Sequence, residues 1–256
     1  MPSMKITGER VASPQAGFNP TWQRHVAAYK LSAPHLHDGR VLDLGCGVGH
    51  SFHLLAPRET VGIDIDSDAL AGQDRETVVA DMRELPFAAG SFPSVLSVHS
   101  LEHVPNPDLV VDEVCRVLTD DGAAVFVTPN RLTLGRPDEI IDPYHYVEFD
   151  PEQLRALCMP RFEHVEVLGV FGSERYMEIF DEERATLDRL LGRDPLRLRR
   201  LVPIRAKQKL YDMMLNRHRG DSDPRAAAID ANDFELRAVD LEDALDLCAV
   251  CRRPRP

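Results

Sequence analysis

An α/β fold built on a parallel sheet is what this sequence predicts, and two observations carry the prediction. From residue 40 onward, short apolar runs alternate with amphipathic segments: RVLDLGCG, SFHLLAP, TVGIDID, SDALAGQ, TVVADM, SVLSVHS, DLVVDEVCRVL and AAVFVTPN. Strand, helix, strand, helix in that order is the pattern of a parallel sheet wound by right-handed crossovers. Ligands of such sheets bind beyond the carboxyl ends of the strands. The unusual polar clusters, at residues 43–49, 64, 81 and 99–103, all fall at such ends.

Beyond Asn130 a connection runs through Pro143 to FDPEQLRAL, where Asp150 reads as an N-cap and Pro151 as the first helical residue. VEVLGVFG and FELRAVDLEDALDLCAVCRR read as two further strands. Between them, residues 174–232 have helical composition and are far longer than an ordinary connection. They are expected to form a lid or small subdomain on the acceptor side. Residues 189–209 carry eight Arg or Lys and one acid. That stretch is either a docking surface or a solvated helical face over Leu196, Leu198 and Leu201.

The chain has 256 residues, 43% of them hydrophobic, which suits one α/β domain with an elaboration. A formal net charge of −12 disfavours nucleic acid and anionic lipid, since polyphosphate surfaces would be repelled. The expected partner is a small molecule, with a homodimer as the expected assembly. No run of about 18 uncharged apolar residues occurs, and the start MPSMKITGER lacks a hydrophobic stretch, so a cytoplasmic location is expected. Cys248 and Cys251 form a C-x-x-C pair, which on a turn would suggest zinc or redox chemistry. Within the strand-like LDLCAVC they instead point to opposite faces, as core residues do.

VLDLGCGVG places Asp43 two residues before Gly45, with Gly47 and Gly49 at alternate positions. Glycines there let the backbone leave the first strand sharply and approach a ligand without a Cβ clash. A dinucleotide fingerprint would read G-x-G-x-x-G; this chain has G-x-G-x-G. VGIDID then ends a second strand at Asp64, VVADMRELPF a third at Asp81, and SVHSLEHV a fourth. Together, over about residues 40–170, these segments resemble the class I S-adenosylmethionine-dependent methyltransferases, in the branch with D-x-G-C-G-x-G and a later E-H-x-x-x-P. The resemblance implies a Rossmann-like, seven-stranded, mostly parallel sheet with helices on both faces and a helical insertion before the last strand. It divides the chain into an N-terminal cap (1–39), a cofactor-binding core (40–173), the insertion (174–232) and a last strand (233–256). By the same resemblance Asp43 and the loop Gly45, Gly47, Gly49 hold the methionine end of the cofactor. Asp64 with Ile65 holds the ribose, and Asp81 with Met82 the adenine. After Ser91-Phe92 such chains usually carry aspartate; here Pro93 follows, which alters a turn.

In SVHSLEHVPNP, His99, Glu102 and His103 stand at i, i+3 and i+4, so a helical turn there would put all three on one face. The segment resembles the E-x-x-E-H motif of metal-dependent quinone-pathway O-methyltransferases and small-RNA 2′-O-methyltransferases, with His145 of DPYHYVEF matching the later histidine of the RNA enzymes. That implies a divalent metal on Glu102, His103, His145 and His99. Imidazoles with a carboxylate suit zinc, manganese or iron, and magnesium less well. Alternatively Glu102 and His103 only buttress the turn, and His99 packs beside the cofactor. For an alcohol acceptor the enzyme must align the hydroxyl and remove its proton, which assigns catalytic roles to His145, His103 and Glu102.

A looser resemblance spans nearly the whole chain, through TGER, W-x-R-H-V-x-x-Y, TPNRLTL, P-x-H-x-x-E-F and DFELRAVDLEDALDL. These look like the actinobacterial sugar O-methyltransferases that include the mycobacterial methylmannose-polysaccharide 1-O-methyltransferase. This implies a sugar or oligosaccharide acceptor, with Arg24, His25 and Tyr29 on an N-terminal helix over the cofactor; an ordinary capping helix is the other reading. Quinone, phenolic or secondary-metabolite acceptors remain open. From other classes, so do an NAD-dependent oxidoreductase, against which the glycine spacing argues, and a cofactor-binding regulator without catalysis.

Overall fold

The computed structural model describes residues 20–134, 139–192, 194, 202–209 and 224–255. Its frame is an eight-stranded sheet in the order β3-β2-β1-β4-β5-β8-β6-β7. The strands are β1 (Arg40–Leu44), β2 (Glu59–Asp64), β3 (Glu76–Val79), β4 (Phe92–Val98), β5 (Leu118–Pro129), β6 (Phe162–Gly172), β7 (Phe234–Arg237) and β8 (Asp246–Pro254). Strands β1 to β5 pair in parallel, and β8 runs antiparallel between β5 and β6. The carboxyl ends of β1, β2 and β4, where the order reverses, therefore face one edge, the place for a ligand.

Alternation along β1 separates two cores. Leu42 and Leu44 join Phe126, Val110, Val114 and Leu154 on one face. Val41 joins Ala28, Tyr29, Leu55 and Leu96 on the other. Asp43 shares the second face with Val41, which aims its carboxylate toward helix α1 (Pro20–Ser32). The helix Pro107–Val117 starts at a proline and buries Val110, Val111, Val114 and Val117, one apolar stripe against the sheet. The expected start at Asp150 is a full capping box: its side chain accepts from the Gln153 N–H while Gln153 accepts from the Asp150 N–H, with Pro151 first in the helix.

The strand count departs from the seven expected. FELRAVDLEDALDLCAVCRR is two strands, because Asp240 takes a left-handed backbone (φ 54°) and opens a 3₁₀ turn at Leu241–Asp243. The chain thus leaves the sheet after β7 and re-enters as β8. Pro93 lies where β4 shifts register against β5, between Phe92 and Ser94; a residue without an N–H is tolerated at such an irregularity. Cys248 and Cys251 are buried free thiols on opposite faces of β8, as alternation requires.

The chain divides into two compact units, one of His25–Ile141, His145–Phe171 and Glu235–Pro256, the other containing Asp142–Tyr144, Gly172–Phe234 and the segment ending at Arg24. In the second unit, a helix spans Glu174–Gly192, and Tyr176 packs edge-on against Phe234 at 4.7 Å between centroids. Asp233 ties that unit together, accepting from Ser173 Oγ (2.6 Å) and Arg175 Nη2 (2.6 Å). Described residues of the insertion are helical at 204–209 and Pro224–Ala227 as well. The TGER segment, and Arg193, Arg197, Arg199 and Arg200 of the basic stretch, lie outside the described residues. Among the described residues no helix is long and apolar enough to cross a membrane.

Candidate active site

Beyond β1 the chain turns through Gly45, Gly47 and Gly49, all at positive φ (63°, 52° and 66°), a conformation that L side chains rarely adopt. A Cβ on Gly45 would lie 2.4 Å from the Ser100 Cβ, so this glycine lets the loop lie against the end of β4. A Cβ on Gly47 would meet nothing within 4 Å, so the backbone there borders open space. The Gly47 N–H donates to Asp64 Oδ2 (2.9 Å), and the Asp66 N–H to Asp64 Oδ1 (2.9 Å), which fixes the Asp64 carboxylate at the tip of β2. Ile65 beside it is 71% exposed, an apolar surface at the loop's edge. Asp81 is forked by Arg83, with Nη2 to Oδ2 at 2.6 Å, and this hydrogen bonding holds its carboxyl below the usual range. Met82 is half-buried against the core. An exposed apolar shelf, a carboxylate held at a strand tip and a glycine backbone open to space fit a cofactor with a nucleoside and a polar tail.

Asp43 behaves differently from an exposed ligand group. It is fully buried, with Oδ1 accepting from the Tyr29 hydroxyl (2.9 Å) and Oδ2 from Arg75 Nη1 (2.7 Å). Tyr29 is thus placed beneath the loop, on Asp43. Arg24 belongs to the other compact unit.

The second cluster forms past β4. Leu101–His103 is a 3₁₀ turn, and the Glu102 carbonyl accepts from the Tyr146 N–H (2.8 Å), which brings Tyr146 and the adjoining His145 back to the strand end. One ligand atom from each of Glu102, His103 and His145 lies within 4.8 Å of the other two. The imidazoles of His103 and His145 meet edge to face at 5.0 Å. Glu102 is buried; Thr128 Oγ1 donates to its Oε2 (3.1 Å), and its Oε1 has no hydrogen-bond donor. Burial would push the Glu102 carboxyl up, but His99, His103 and His145 outweigh it and pull it down to about 2. His145 Nδ1 lies 3.1 Å from Glu148 Oε1.

His99 does not join the three. It stands before the 3₁₀ turn with a left-handed backbone (φ 49°), its N–H bonded to the Val127 carbonyl (2.8 Å), so no α-helical face links it to Glu102 and His103. Its ring stacks on His25 at 4.2 Å, with Nε2 3.6 Å from Asp246 Oδ2 and Nδ1 3.7 Å from Glu102 Oε1. Burial alone would lower its pKa; the Asp246 and Glu102 carboxylates reverse this and raise it to about 9. His99 is therefore a buried cation between two acids rather than a member of the ligand set. Asp246, Thr128, Glu148, Gln73 and Arg75 received no site role from the sequence: the first three lie inside the motifs of the looser resemblance, and all five are common residue types whose partners the fold decides.

Residues 42–126 match the methyltransferase-domain family. The chain is 28% identical to a probable S-adenosylmethionine-dependent methyltransferase of Mycobacterium tuberculosis, over 98% of this chain and 90% of that one. It is 29% identical to a counterpart in Mycolicibacterium smegmatis, over 98% and 96%. This is an S-adenosylmethionine-dependent methyltransferase. The methyltransferase shares its fold with the crystal structure of an S-adenosylmethionine-dependent methyltransferase of Thermotoga maritima, at TM-score 0.61 and 13% identity over 91% of each chain. For this methyltransferase the methyl donor that the family implies is S-adenosylmethionine, and the glycine loop with Asp64, Ile65, Asp81 and Met82 could hold it.

Proposed function

We propose that this methyltransferase transfers its methyl group to a hydroxyl of a small acceptor, of the sugar or oligosaccharide type, with Glu102, His103 and His145 acting on the acceptor oxygen. The convergence of those three side chains is the observation that carries the reading. S-adenosylmethionine, when bound, supplies an already activated methyl group. What the chain must add is alignment of the hydroxyl and a place for its proton. With Glu148 beside Nδ1 of His145, that ring nitrogen is held as the donor, leaving Nε2 as the proton acceptor. The motifs that resemble the actinobacterial sugar O-methyltransferases, W-x-R-H-V-x-x-Y and P-x-H-x-x-E-F among them, support a sugar acceptor.

The same three residues fit a divalent cation. The donor set is one carboxylate and two imidazoles, the Glu102 Oε1 atom is buried without a hydrogen-bond donor, and Glu148 backs His145 as carboxylates commonly back metal-binding histidines. A cation bound there would lower the pKa of an acceptor hydroxyl. Manganese or zinc suits these donors better than magnesium, which prefers oxygen ligands.

The deciding experiment is a product mass spectrum after incubation with S-adenosylmethionine and a panel of mannosides, phenols and quinone precursors. A mono-methylated mannoside is the expected product. Methylation confined to phenols or quinone precursors would move the acceptor class, and no methylation of any hydroxyl would end the O-methyl reading.

A further inference from the structure

Asp43 opens the glycine signature, yet its carboxylate is occupied from below. Arg75, on the segment entering β3, turns back beneath the loop to make the 2.7 Å ion pair with Asp43, and both side chains are buried, 3% and 0% exposed. Its guanidinium carbon lies 4.5 Å from the centre of the Phe52 ring. Its Nε donates to Gln73 Oε1 (2.9 Å), and Gln73 Nε2 donates in turn to the Gly47 carbonyl (2.8 Å). The Gly47 residue is thus held from two sides, its N–H by Asp64 and its C=O by Gln73.

Two glycines make the space. A Cβ on Gly62 of β2 would lie 2.7 Å from Arg75 Nη2, and a Cβ on Gly49 would lie 2.1 Å from Gln73 Oε1. Gly62 therefore admits the guanidinium under the loop, and Gly49 admits the amide beside it. A continuous hydrogen-bonded line runs Tyr29–Asp43–Arg75–Gln73–Gly47, from the buried end at α1 to the open backbone of the loop.

We propose that Gln73 and Arg75 are positioning residues for the cofactor: Arg75 neutralises Asp43 beneath the loop, and Gln73 carries that anchorage to the Gly47 carbonyl. On this account Asp43 organises the loop from below, and the loop backbone and Asp64 face the cofactor. The inference is independent of which acceptor is methylated and of whether a metal is bound.

Gln73→Glu is the sharp test, because a carboxylate keeps the size of the side chain and can still accept from Arg75 but cannot donate to the Gly47 carbonyl, or to the Ala69 carbonyl that the amide also reaches at 3.2 Å. Calorimetric titration of the full chain with S-adenosylhomocysteine and S-adenosylmethionine should show Kd raised about 3- to 10-fold, the range one hydrogen bond supplies. The thermal midpoint of the ligand-free protein should stay near that of wild type. Gln73→Ala should give a similar loss. In Arg75→Met the uncompensated Asp43 should weaken both binding and ligand-free stability, and adding Asp43→Asn should restore much of the stability. A Gln73→Glu protein, folded by circular dichroism, that binds both ligands within twofold of wild type would overturn the proposal. If Gln73→Glu does not fold, Gln73→Ala is judged by the same twofold limit.

Discussion

His145 and Glu148 stand three residues apart with Nδ1 and Oε1 separated by 3.1 Å, and both side chains are largely buried. On the proposed function the pair fixes one nitrogen of the ring and so decides which nitrogen would meet the acceptor. His145→Ala should lower kcat by about 10²-fold or more, the range of a positioned acid–base group, while the Kd for S-adenosylmethionine changes little. Glu148→Gln should lower kcat by about tenfold, the lower end for a carboxylate behind a working histidine. Single-turnover rates and calorimetry on the same preparations check both.

Chelation separates a metal from a bare base. On the metal reading, EDTA should abolish turnover, and manganese or zinc should restore it. His103→Ala should weaken manganese binding, read by electron paramagnetic resonance. Turnover that survives EDTA but not His145→Ala leaves the histidine as base and removes the metal; turnover that survives both leaves the Glu102–His103 turn structural.

Asp64→Ala should weaken S-adenosylmethionine binding by about 1–3 kcal/mol, the worth of hydrogen bonds to a charged group. Part of that loss would arrive through Gly47, whose N–H bonds to Asp64 Oδ2. Unchanged affinity by calorimetry would remove the ribose assignment.

Gly45→Ala should be far more damaging than Gly47→Ala to folding. Both sit at positive φ, but only at position 45 would the methyl run into Ser100, at 2.4 Å. Thermal midpoints of the two ligand-free variants compare them, and equal midpoints would refute the packing argument.

The buried histidines set a pH optimum for stability. His99 has its pKa raised from 6.5 to about 9, so its contribution is full below about pH 6.5 and is lost as pH rises through 9. His50 is the opposite case: burial, with His53 and His99 adding to it, lowers it to about 4, so its contribution is full above about 6.5 and is lost as pH falls through 4. The thermal midpoint should therefore peak near pH 6.5. Asp246→Asn should flatten the alkaline limb and leave the acid limb, as a pH series of melting curves would show.

Much of this was legible in the sequence because it depends on local order. Alternating apolar runs placed β1 to β5, and Asp150 with Pro151 placed a helix start. Residues at strand tips, such as Gly47, Asp64 and Glu102, could be assigned to one edge as soon as the sheet was read as parallel. His145 was reached through motif resemblance. What stayed hidden depends on backbone angles and on distant packing. The left-handed residues His99 and Asp240 carry no sequence mark, since histidine and aspartate occur in every conformation; one removed His99 from the ligand set and the other split a strand. Arg75 and Gln73 lie beside a connecting segment, and nothing in the local order of residues marks their contacts with Asp43 and Gly47.

The placement of β8 has a consequence for biosynthesis. This strand comes last in the described chain yet lies inside the sheet, paired on one side with β5 and on the other with β6. While Asp246–Pro254 is still inside the ribosome, β5 and β6 present unpaired edges and the nascent sheet cannot close. His99 also lacks its Asp246 neighbour until then. The emerging polypeptide can assemble β1 to β4 first, but its acid–histidine centre becomes complete only once Asp246 has left the ribosome.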